Sequence, residues 1–359
     1  MVNFLASLSH QHILNFPDMP HEIIVIGGGI AGMTAASCLS KSGNKVTLLE
    51  KEKYLGGHVR KWDRLFPSLR PASEVLNWIE NSVSTDVVVM KEAVISSIEH
   101  NRDGFTVHTN GNNPVSSKAV VLATGYELFD ARKKEEYGYG IYDNVLTSAD
   151  LETMFLEKKK IVTSDGKIPR RVGIVHCVGS RDEKVGNLYC SKVCCVTGVK
   201  QSIEIKQALP GTEVYCFYMD LRMFDRHFEE LYFEAQQKWG INFIRGRVSE
   251  CAENEDHSIL IKTEDTLTGR PLKMSVDLLI LLVGFIPSAG TGELASFLGL
   301  SAGEDGFLSS LDEHIHDNST SVPGVFLTGA VKGPSSIVNS ITDARATAIQ
   351  VQEYLNSIG

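Results

Sequence analysis

The chain of 359 residues is 43% hydrophobic and carries a formal charge of -9, with length enough for two domains of ordinary size. The acidic balance excludes a nucleic-acid surface, and the longest apolar run, Leu278 to Pro287, has about half the length of a membrane span. The first twenty residues hold neither Lys nor Arg and no continuous apolar segment, so no secretory signal is read there and a cytoplasmic protein is expected. In that compartment the seven cysteines serve as metal ligands, catalytic groups or inert core rather than disulfides.

The first recognisable unit is a βαβ opening. A strand over Glu22 to Ile26 runs into Gly27-Gly28-Gly29-Ile30-Ala31-Gly32, a helix over about Ala31 to Ser42 is closed by Gly43, and a second strand covers Lys45 to Glu50. Glycines at such a turn let the backbone bend tightly, approach a pyrophosphate and pack helix on strand, while the helix N-terminus faces the negative charge. Glu50 follows Gly29 by twenty-one residues, where a carboxylate can accept ribose hydroxyls. Between Val87 and Leu122 the pattern changes to short alternating strands, with Phe105 to Thr109 and Ala119 to Leu122 joined through Asn110-Gly111-Asn112-Asn113-Pro114, a turn signal. The resulting small meander ends at Ala123-Thr124-Gly125.

Lys158-Lys159-Lys160 and Arg170-Arg171 flank a polar stretch and read as a solvated linker. A second βαβ unit follows: a strand from Arg171 to Cys177, a helix over about Val196 to Ala208 and a strand over Glu213 to Tyr218. Phe224, Phe228, Leu231, Tyr232 and Ala235 recur at helical spacing and read as a core or subunit-contact face. Strand-like runs at Ile259 to Thr263 and Leu278 to Val283 close the unit, and Gly284-Phe285-Ile286-Pro287 breaks it. Gly324-Val325-Phe326-Leu327-Thr328-Gly329 and a helix over about Ser336 to Asn356 finish the chain. The expected architecture is α/β with two Rossmann-like dinucleotide-binding domains, the second (146–287) inserted into the first (1–145 and 288–359).

The second turn, Cys177-Val178-Gly179-Ser180-Arg181-Asp182, puts Cys177 at the place of the first glycine and Asp182 at that of the third. Asp182 would repel a pyrophosphate and obstruct close helix packing, which disfavours a nicotinamide nucleotide there. Cys177 ends a strand, and Cys190, Cys194 and Cys195 gather just before a helix N-terminus, where the local dipole favours thiolates. The C-x12-C-x3-C-C spacing lacks the C-x2-C pair of a zinc knuckle and is not a common ferredoxin spacing, so zinc and an iron-sulfur cluster both stay open. Cys38, Cys216 and Cys251 each fall within an apolar element and read as inert thiols.

Three patches resemble flavin disulfide-reductase-like enzymes: Leu55-Gly56-Gly57-His58, Val121-Leu122-Ala123-Thr124-Gly125 and Gly324 to Gly329. They favour FAD, with Gly27, Gly28, Gly29, Ala31, Gly32 and Glu50 at the ADP half and Lys51, Gly57, His58, Val94, Ala123, Thr124, Gly125, Gly329, Ala330, Gly333, Pro334 and Ile337 lining the rest. In that superfamily an Asp follows the last glycine and holds the ribityl chain; here the residue is Ala330.

Over almost the whole chain, Cys177 to Asp182, Tyr189-Cys190-Ser191-Lys192-Val193-Cys194-Cys195, Asp220-Leu221-Arg222, Phe243-Ile244-Arg245-Gly246-Arg247-Val248, Leu267-Thr268-Gly269, Val283 to Pro287 and Gly329-Ala330-Val331-Lys332-Gly333-Pro334 resemble the A-type flavoprotein subunit of heterodisulfide reductases. The resemblance implies FAD in a thioredoxin-reductase-like fold, a [4Fe-4S] cluster on Cys177, Cys190, Cys194 and Cys195, a homodimer, and Ala330 in place of the Asp. It places Lys332 near the flavin ring, where it could stabilise a reduced, anionic flavin; the plain alternative is a solvated loop lysine. The additional ferredoxin-type cysteine runs of the methanogen form are missing, since no C-x2-C-x2-C-x3-C run occurs. The compact form is similar to the corresponding flavoprotein of heterodisulfide-reductase-like complexes in sulfur-oxidising bacteria, which implies electron transfer between cluster and FAD, other subunits as partners, and an acceptor such as NAD although its fingerprint is not intact. Two other readings stay open: a stand-alone NAD(P)H-dependent flavin oxidoreductase, and a zinc-stabilised flavin-binding assembly subunit.

Overall fold

A computed structural model describes residues 21–358; the segment read for a secretory signal lies outside them. Two parallel five-stranded sheets organise the chain. The first has the order Val325–Leu327, Ala119–Leu122, Glu22–Ile26, Lys45–Leu49, Val88–Met90, and so joins strands from both ends of the sequence. The second repeats that arrangement with Val145–Thr147, Leu278–Val283, Arg171–Val178, Glu213–Tyr218, Asn242–Arg245. The next-to-edge strands Ala119–Leu122 and Leu278–Val283 are buried at every residue, as expected for parallel strands covered on both faces.

Each sheet carries a three-stranded antiparallel meander, Ile95–Asn101 with Gly104–Thr109 and Val115–Ser117 in the first, Glu250–Glu253 with Ile259–Asp265 and Arg270–Val276 in the second. The expected pairing of Phe105 to Thr109 with Ala119 to Leu122 is therefore corrected. The turn through Asn110 to Pro114 leads into Val115–Ser117, which closes the hairpin, and Ala119–Leu122 enters the parallel sheet beside Glu22–Ile26. The aromatic segment is helical only over Phe228–Gln237, with Phe228, Leu231 and Ala235 buried and Phe224 left exposed outside it. No helix among the described residues is long and apolar enough to cross a membrane.

The chain passes between the two sheets twice, and the two passages pair: Tyr126–Leu128 lies antiparallel to Phe285–Pro287, with the Tyr126 and Phe285 rings stacked at 3.6 Å. A second tie is polar and buried. Lys200, on the helix Cys194–Ala208, donates to Glu152 on the helix Ser148–Leu156 and to the Arg64 carbonyl at 3.0 Å, and lies 3.2 Å from Glu204. Gln201 donates to Glu152 at 2.8 Å, and the Asp63 amide donates to the other Glu152 oxygen at 3.1 Å. Glu204 accepts no hydrogen bond there. Burial pushes its carboxyl up to about 8, with Lys200 opposing and Glu152 and Asp63 reinforcing.

Below about pH 4.5 the folded and unfolded chains both hold the Glu204 proton. Above it the unfolded chain releases a proton that the folded chain retains up to about pH 8, so folding is penalised as pH rises across that window. Glu204→Gln removes the penalty. Its stability advantage over the wild type is expected to grow through the window by at most about 1.4 kcal/mol per pH unit, measured by urea unfolding at stepped pH; a difference that does not change with pH would contradict it.

Candidate functional site

The strand Glu22–Ile26 delivers the backbone into Gly27 at φ +109°, where a side chain would meet the Ala123 carbonyl oxygen at 2.4 Å. Gly32, in the first turn of the helix Ile30–Lys41, is tighter still, because a Cβ there would sit 1.8 Å from the Gly27 oxygen. These two glycines press strand, turn and helix together. Gly29 faces open space and caps the helix without a side chain, leaving the first-turn N–H groups, which have no intrahelical partner, toward the hollow that Gly29, Ile30 and Ala31 line. Gly28 turns the other way: its N–H donates to Glu50 Oε2 at 2.6 Å, while Glu50 Oε1 accepts from the Glu52 amide at 2.8 Å. The sequence points Glu50 at a ribose; in the fold its carboxylate also holds the glycine turn closed.

That hollow is a cavity of about 790 Å³, within the range of cofactor sites. Of the residues expected at a flavin, Gly27, Gly29, Ala31, Glu50, Lys51, Gly57, His58, Val94, Ala123, Thr124, Gly125, Ala330 and Ile337 line it. Gly28, Gly32, Gly329, Gly333 and Pro334 do not. Gly28 and Gly32 act behind the wall as described, and Gly329, at φ +70°, brings the end of the last strand against Ala31, where a Cβ would lie 2.6 Å from the alanine methyl. The sequence reading missed Tyr54, Trp62, Tyr126, Phe297 and the segment Ser288 to Gly290. Tyr126 directly follows the Ala-Thr-Gly signature, and Ser288 follows the Pro287 break, so position in the chain was the available signal.

His58 carries an acceptor without a partner at the cavity wall. Its Nε2 lies 2.8 Å from the Tyr126 carbonyl oxygen and its ring stacks on Tyr126 at 4.3 Å. A carbonyl only accepts, so Nε2 carries the proton and Nδ1 is a bare acceptor. Nδ1 is buried without a partner, and burial lowers the imidazole pKa, keeping it neutral. A ligand with N–H or O–H donors, as a flavin nucleotide has, suits that atom.

Lys332 does not line the cavity. Its ammonium is held between Asp317 and Asp343, 2.8 Å from the latter, and the second Asp343 oxygen accepts from the Gly329 amide at 2.6 Å. In the fold this cation, engaged by two carboxylates, fastens the end of the last strand.

The second turn mirrors the first up to its first residue. Cys177 has φ +61°, the left-handed conformation that Gly27 takes without strain and that costs a residue with a Cβ about 1 kcal/mol. The helix does not follow at once: the Arg181 amide donates to the Tyr189 carbonyl at 2.9 Å and Asp182 pairs with Asn187, closing a loop that returns the chain at Cys190. The helix then starts at Cys194, two residues before its expected start. Cys177, Cys194 and Cys195 are buried and Cys190 is half-buried. The Lys192 amide donates to Cys190 Sγ at 3.3 Å, and Cys195 Sγ lies 3.5 Å from the Asp220 carbonyl oxygen. Burial pushes the Cys177 thiol up to about 12, and the Cys194 and Cys195 thiols are raised for the same reason; the neighbouring thiols add to each shift, and Arg181 opposes it at Cys177 and Cys195. The four are thus mutual neighbours, yet no three His, Cys, Asp or Glu side chains among the described residues are placed to hold a single metal ion. Cys216 and Cys251 are buried and Cys38 is half-buried.

Asp182 is an anchor. It pairs with Lys134 at 2.6 Å and with Arg247 at 2.9 Å; the Asp182 and Lys134 side chains are each only 2% exposed, and Lys134 also meets Glu136 at 2.7 Å. Gly179 is covered by the Phe129 ring, which a Cβ would strike at 2.1 Å. A hollow of about 10 Å³ lies at this end of the second sheet between Tyr137, Cys177, Phe217 and Arg247, far too small for a nucleotide.

The family model described as pyridine nucleotide-disulphide oxidoreductase matches residues 21–348. Among curated relatives, the A-type iron-sulfur subunit of the CoB-CoM heterodisulfide reductase of Methanocaldococcus jannaschii is 32% identical over 93% of this chain and 65% of its own length. The A-type subunit of the H2:CoB-CoM heterodisulfide, ferredoxin reductase of Methanothermobacter thermautotrophicus is 42% identical over 64% of this chain and 36% of its own. The chain thus spans less than two thirds of the length of these relatives. Among solved structures, thioredoxin reductase of T. acidophilum superposes with a TM-score of 0.64 at 20% identity, covering 95% of this chain and 99% of that one, a likeness of fold.

Removing Asp182 leaves Lys134 buried without its main partner. Asp182→Ala is expected to cost about 3 kcal/mol, read as a fall in the urea midpoint, whereas Asp182→Leu combined with Lys134→Met is expected to recover most of it. A single substitution within about 0.5 kcal/mol of wild type would show that the pair does not anchor this turn.

Proposed function

The chain belongs to the pyridine nucleotide-disulphide oxidoreductase family and is an FAD-dependent oxidoreductase related to the A-type subunits of heterodisulfide reductases, and from that premise we propose that it is the FAD- and [4Fe-4S]-carrying electron-transfer subunit of a heterodisulfide-reductase-like complex. In this reading residues 1–145 and 288–359 form the flavin domain and 146–287 the inserted domain with the cysteines, and the protein passes electrons between partner subunits and an acceptor during the oxidation of sulfur compounds, in the cytoplasm and as a homodimer. The observation that carries it is the grouping of Cys177, Cys190, Cys194 and Cys195 at the one turn that, in a nucleotide-binding sheet, would otherwise hold a second dinucleotide.

The residues fit both groups. For FAD, the open Gly29 turn and the helix start at Ile30 offer N–H groups to a pyrophosphate, Glu50 offers a carboxylate beside it, and His58 Nδ1 offers an acceptor without a partner. For the cluster, four thiols lie together with the Lys192 amide and the Arg181 guanidinium beside them, and N–H donors of this kind favour the deprotonated sulfur. Zinc needs four sulfurs about 2.3 Å from one centre, an arrangement not found among the described residues. When bound, FAD exchanges electrons singly with a cluster and in pairs with a hydride carrier. The filled second turn supports a partner protein as donor, and any nicotinamide acceptor would have to meet the flavin at the larger cavity.

Iron, sulfide, zinc and the visible spectrum of anaerobically purified protein test the proposal. About four iron and four sulfide per chain are expected beside a flavin spectrum, with the iron lost and the flavin kept in Cys194→Ser. Flavin with zinc, or with no metal, would sink the cluster and leave the assembly role or the simple flavin reductase. Separately, Glu50→Gln weakens a charge-assisted bond that closes the turn, and the FAD dissociation constant is expected to rise about tenfold by fluorescence titration; an unchanged constant would remove Glu50 from the site.

A further inference from the structure

Arg181 does not line the flavin cavity and is not one of the proposed ligands. It sits one residue before the Asp182 anchor at φ +54°, with its amide fixed to the Tyr189 carbonyl at 2.9 Å. Asp220 grips one end of the guanidinium, Nη2 to Oδ2 at 2.6 Å. The same Asp220 offers its carbonyl to Cys195, so the clamp and the thiols share one residue. The other end, Nη1, is buried and has no hydrogen-bond partner. A buried guanidinium N–H without an acceptor costs free energy comparable to a lost hydrogen bond, and the thiols of Cys177, Cys190 and Cys195 are the groups of the cluster that Arg181 acts on. Arg222 and Arg245 also bear on Asp220, so the carboxylate does not cancel the positive charge at the rim of the thiols.

We propose that Arg181 is a positioning residue whose guanidinium, clamped by Asp220, presents a cationic donor beside Cys177, Cys190 and Cys195 and raises the reduction potential of the group that these and Cys194 bind. The inference rests on the cluster reading above. Four thiolates around a [4Fe-4S] core leave a net negative charge that grows by one on reduction. A fixed cation and N–H donors at the sulfurs stabilise the more negative form, which moves the potential upward. Lysine would keep the charge but lose the fork that lets one end bind Asp220 while the other faces sulfur.

The experiment is a redox titration of the cluster, followed by electron paramagnetic resonance, in wild type, Arg181→Met and Arg181→Lys, with iron and sulfide measured on each. Arg181→Met with full iron and a potential moved negative, Arg181→Lys lying between it and wild type, is the expected result. Full iron with an unmoved potential in Arg181→Met overturns the proposal. Should Arg181→Met lose iron, Arg181→Lys decides: a negative shift supports the proposal and an unmoved potential overturns it. Loss of iron from both variants, with the flavin retained, makes Arg181 a structural residue and also overturns it. Wild-type protein without iron overturns the cluster reading itself, a failure the metal analysis identifies before any variant is compared.

Discussion

The turn at the end of the central strand of each parallel sheet is the constraint from which both sites follow. To leave the strand and return over the sheet, the backbone must pass through a left-handed residue, and the structure places Gly27 there in the first sheet and Cys177 in the second. With glycine, the helix can follow at once, because Gly32 admits the Gly27 carbonyl where any side chain would collide, and an open N-terminus faces a cavity. With cysteine, the position is strained and carries a thiol. The loop from Ser180 to Val193 separates this turn from its α-helix, and that loop delivers Cys190 while the helix begins with Cys194 and Cys195. Cys177 for the first glycine, Asp182 for the third and the loop between them and the helix together separate a thiol turn from a nucleotide turn on the same scaffold.

The buried charges fit that division. Asp182 stands where the third glycine would be, and Lys134, Arg247 and the Phe129 ring over Gly179 fill the space that a pyrophosphate and a helix N-terminus would share. Burying a paired charge is seldom a gain in stability over apolar packing, so the arrangement is better understood as specifying the turn than as strengthening the fold. The cluster of Lys200, Glu152 and Glu204 works on a different join. Lys200 and Glu204 lie on the helix that begins with the paired cysteines and Glu152 on the helix Ser148–Leu156, and the group reaches the Asp63 and Arg64 backbone, next to cavity residue Trp62. The thiol-bearing helix and the cavity wall are therefore fixed to each other by a polar contact as well as by the paired crossings at Tyr126 and Phe285.

How much of this the sequence discloses depends on the range of the interaction concerned. The strands Glu22–Ile26 and Ala119–Leu122 are legible to the residue, because apolar runs bounded by turn signals are local. The partner of Ala119–Leu122 is not legible: a turn signal predicts the nearest hairpin, whereas the strand pairs with segments roughly 100 and 200 residues away in sequence, at Glu22–Ile26 and Val325–Leu327. The glycine turn, Glu50 and the grouping of four cysteines follow from spacing. Lys332 does not, since its fate is decided by Asp317 and Asp343, two carboxylates that nothing in the local pattern ties to it. Tyr126 and Ser288 were missed for the related reason that they lie on the crossings between sheets, and crossings belong to neither periodic pattern.

The closed second turn also bears on how such a flavoprotein could work. A relative that binds a nicotinamide nucleotide on its second sheet would bring hydride to the flavin from there, in pairs of electrons. Here Asp182 with Lys134 and Arg247, and the Phe129 ring over Gly179, occupy that turn, and four thiols gather beside it. If those thiols hold a one-electron centre, as proposed, the two sheets divide the chemistry: the first keeps the group able to take one electron or two, and the second supplies electrons singly from a partner. The direction of flow then depends on the difference in potential between the two groups. On the cysteine side, the protein's adjustable elements are the guanidinium of Arg181 and the amide of Lys192, both on the loop before the helix, and the carboxylate of Asp220 that holds the guanidinium.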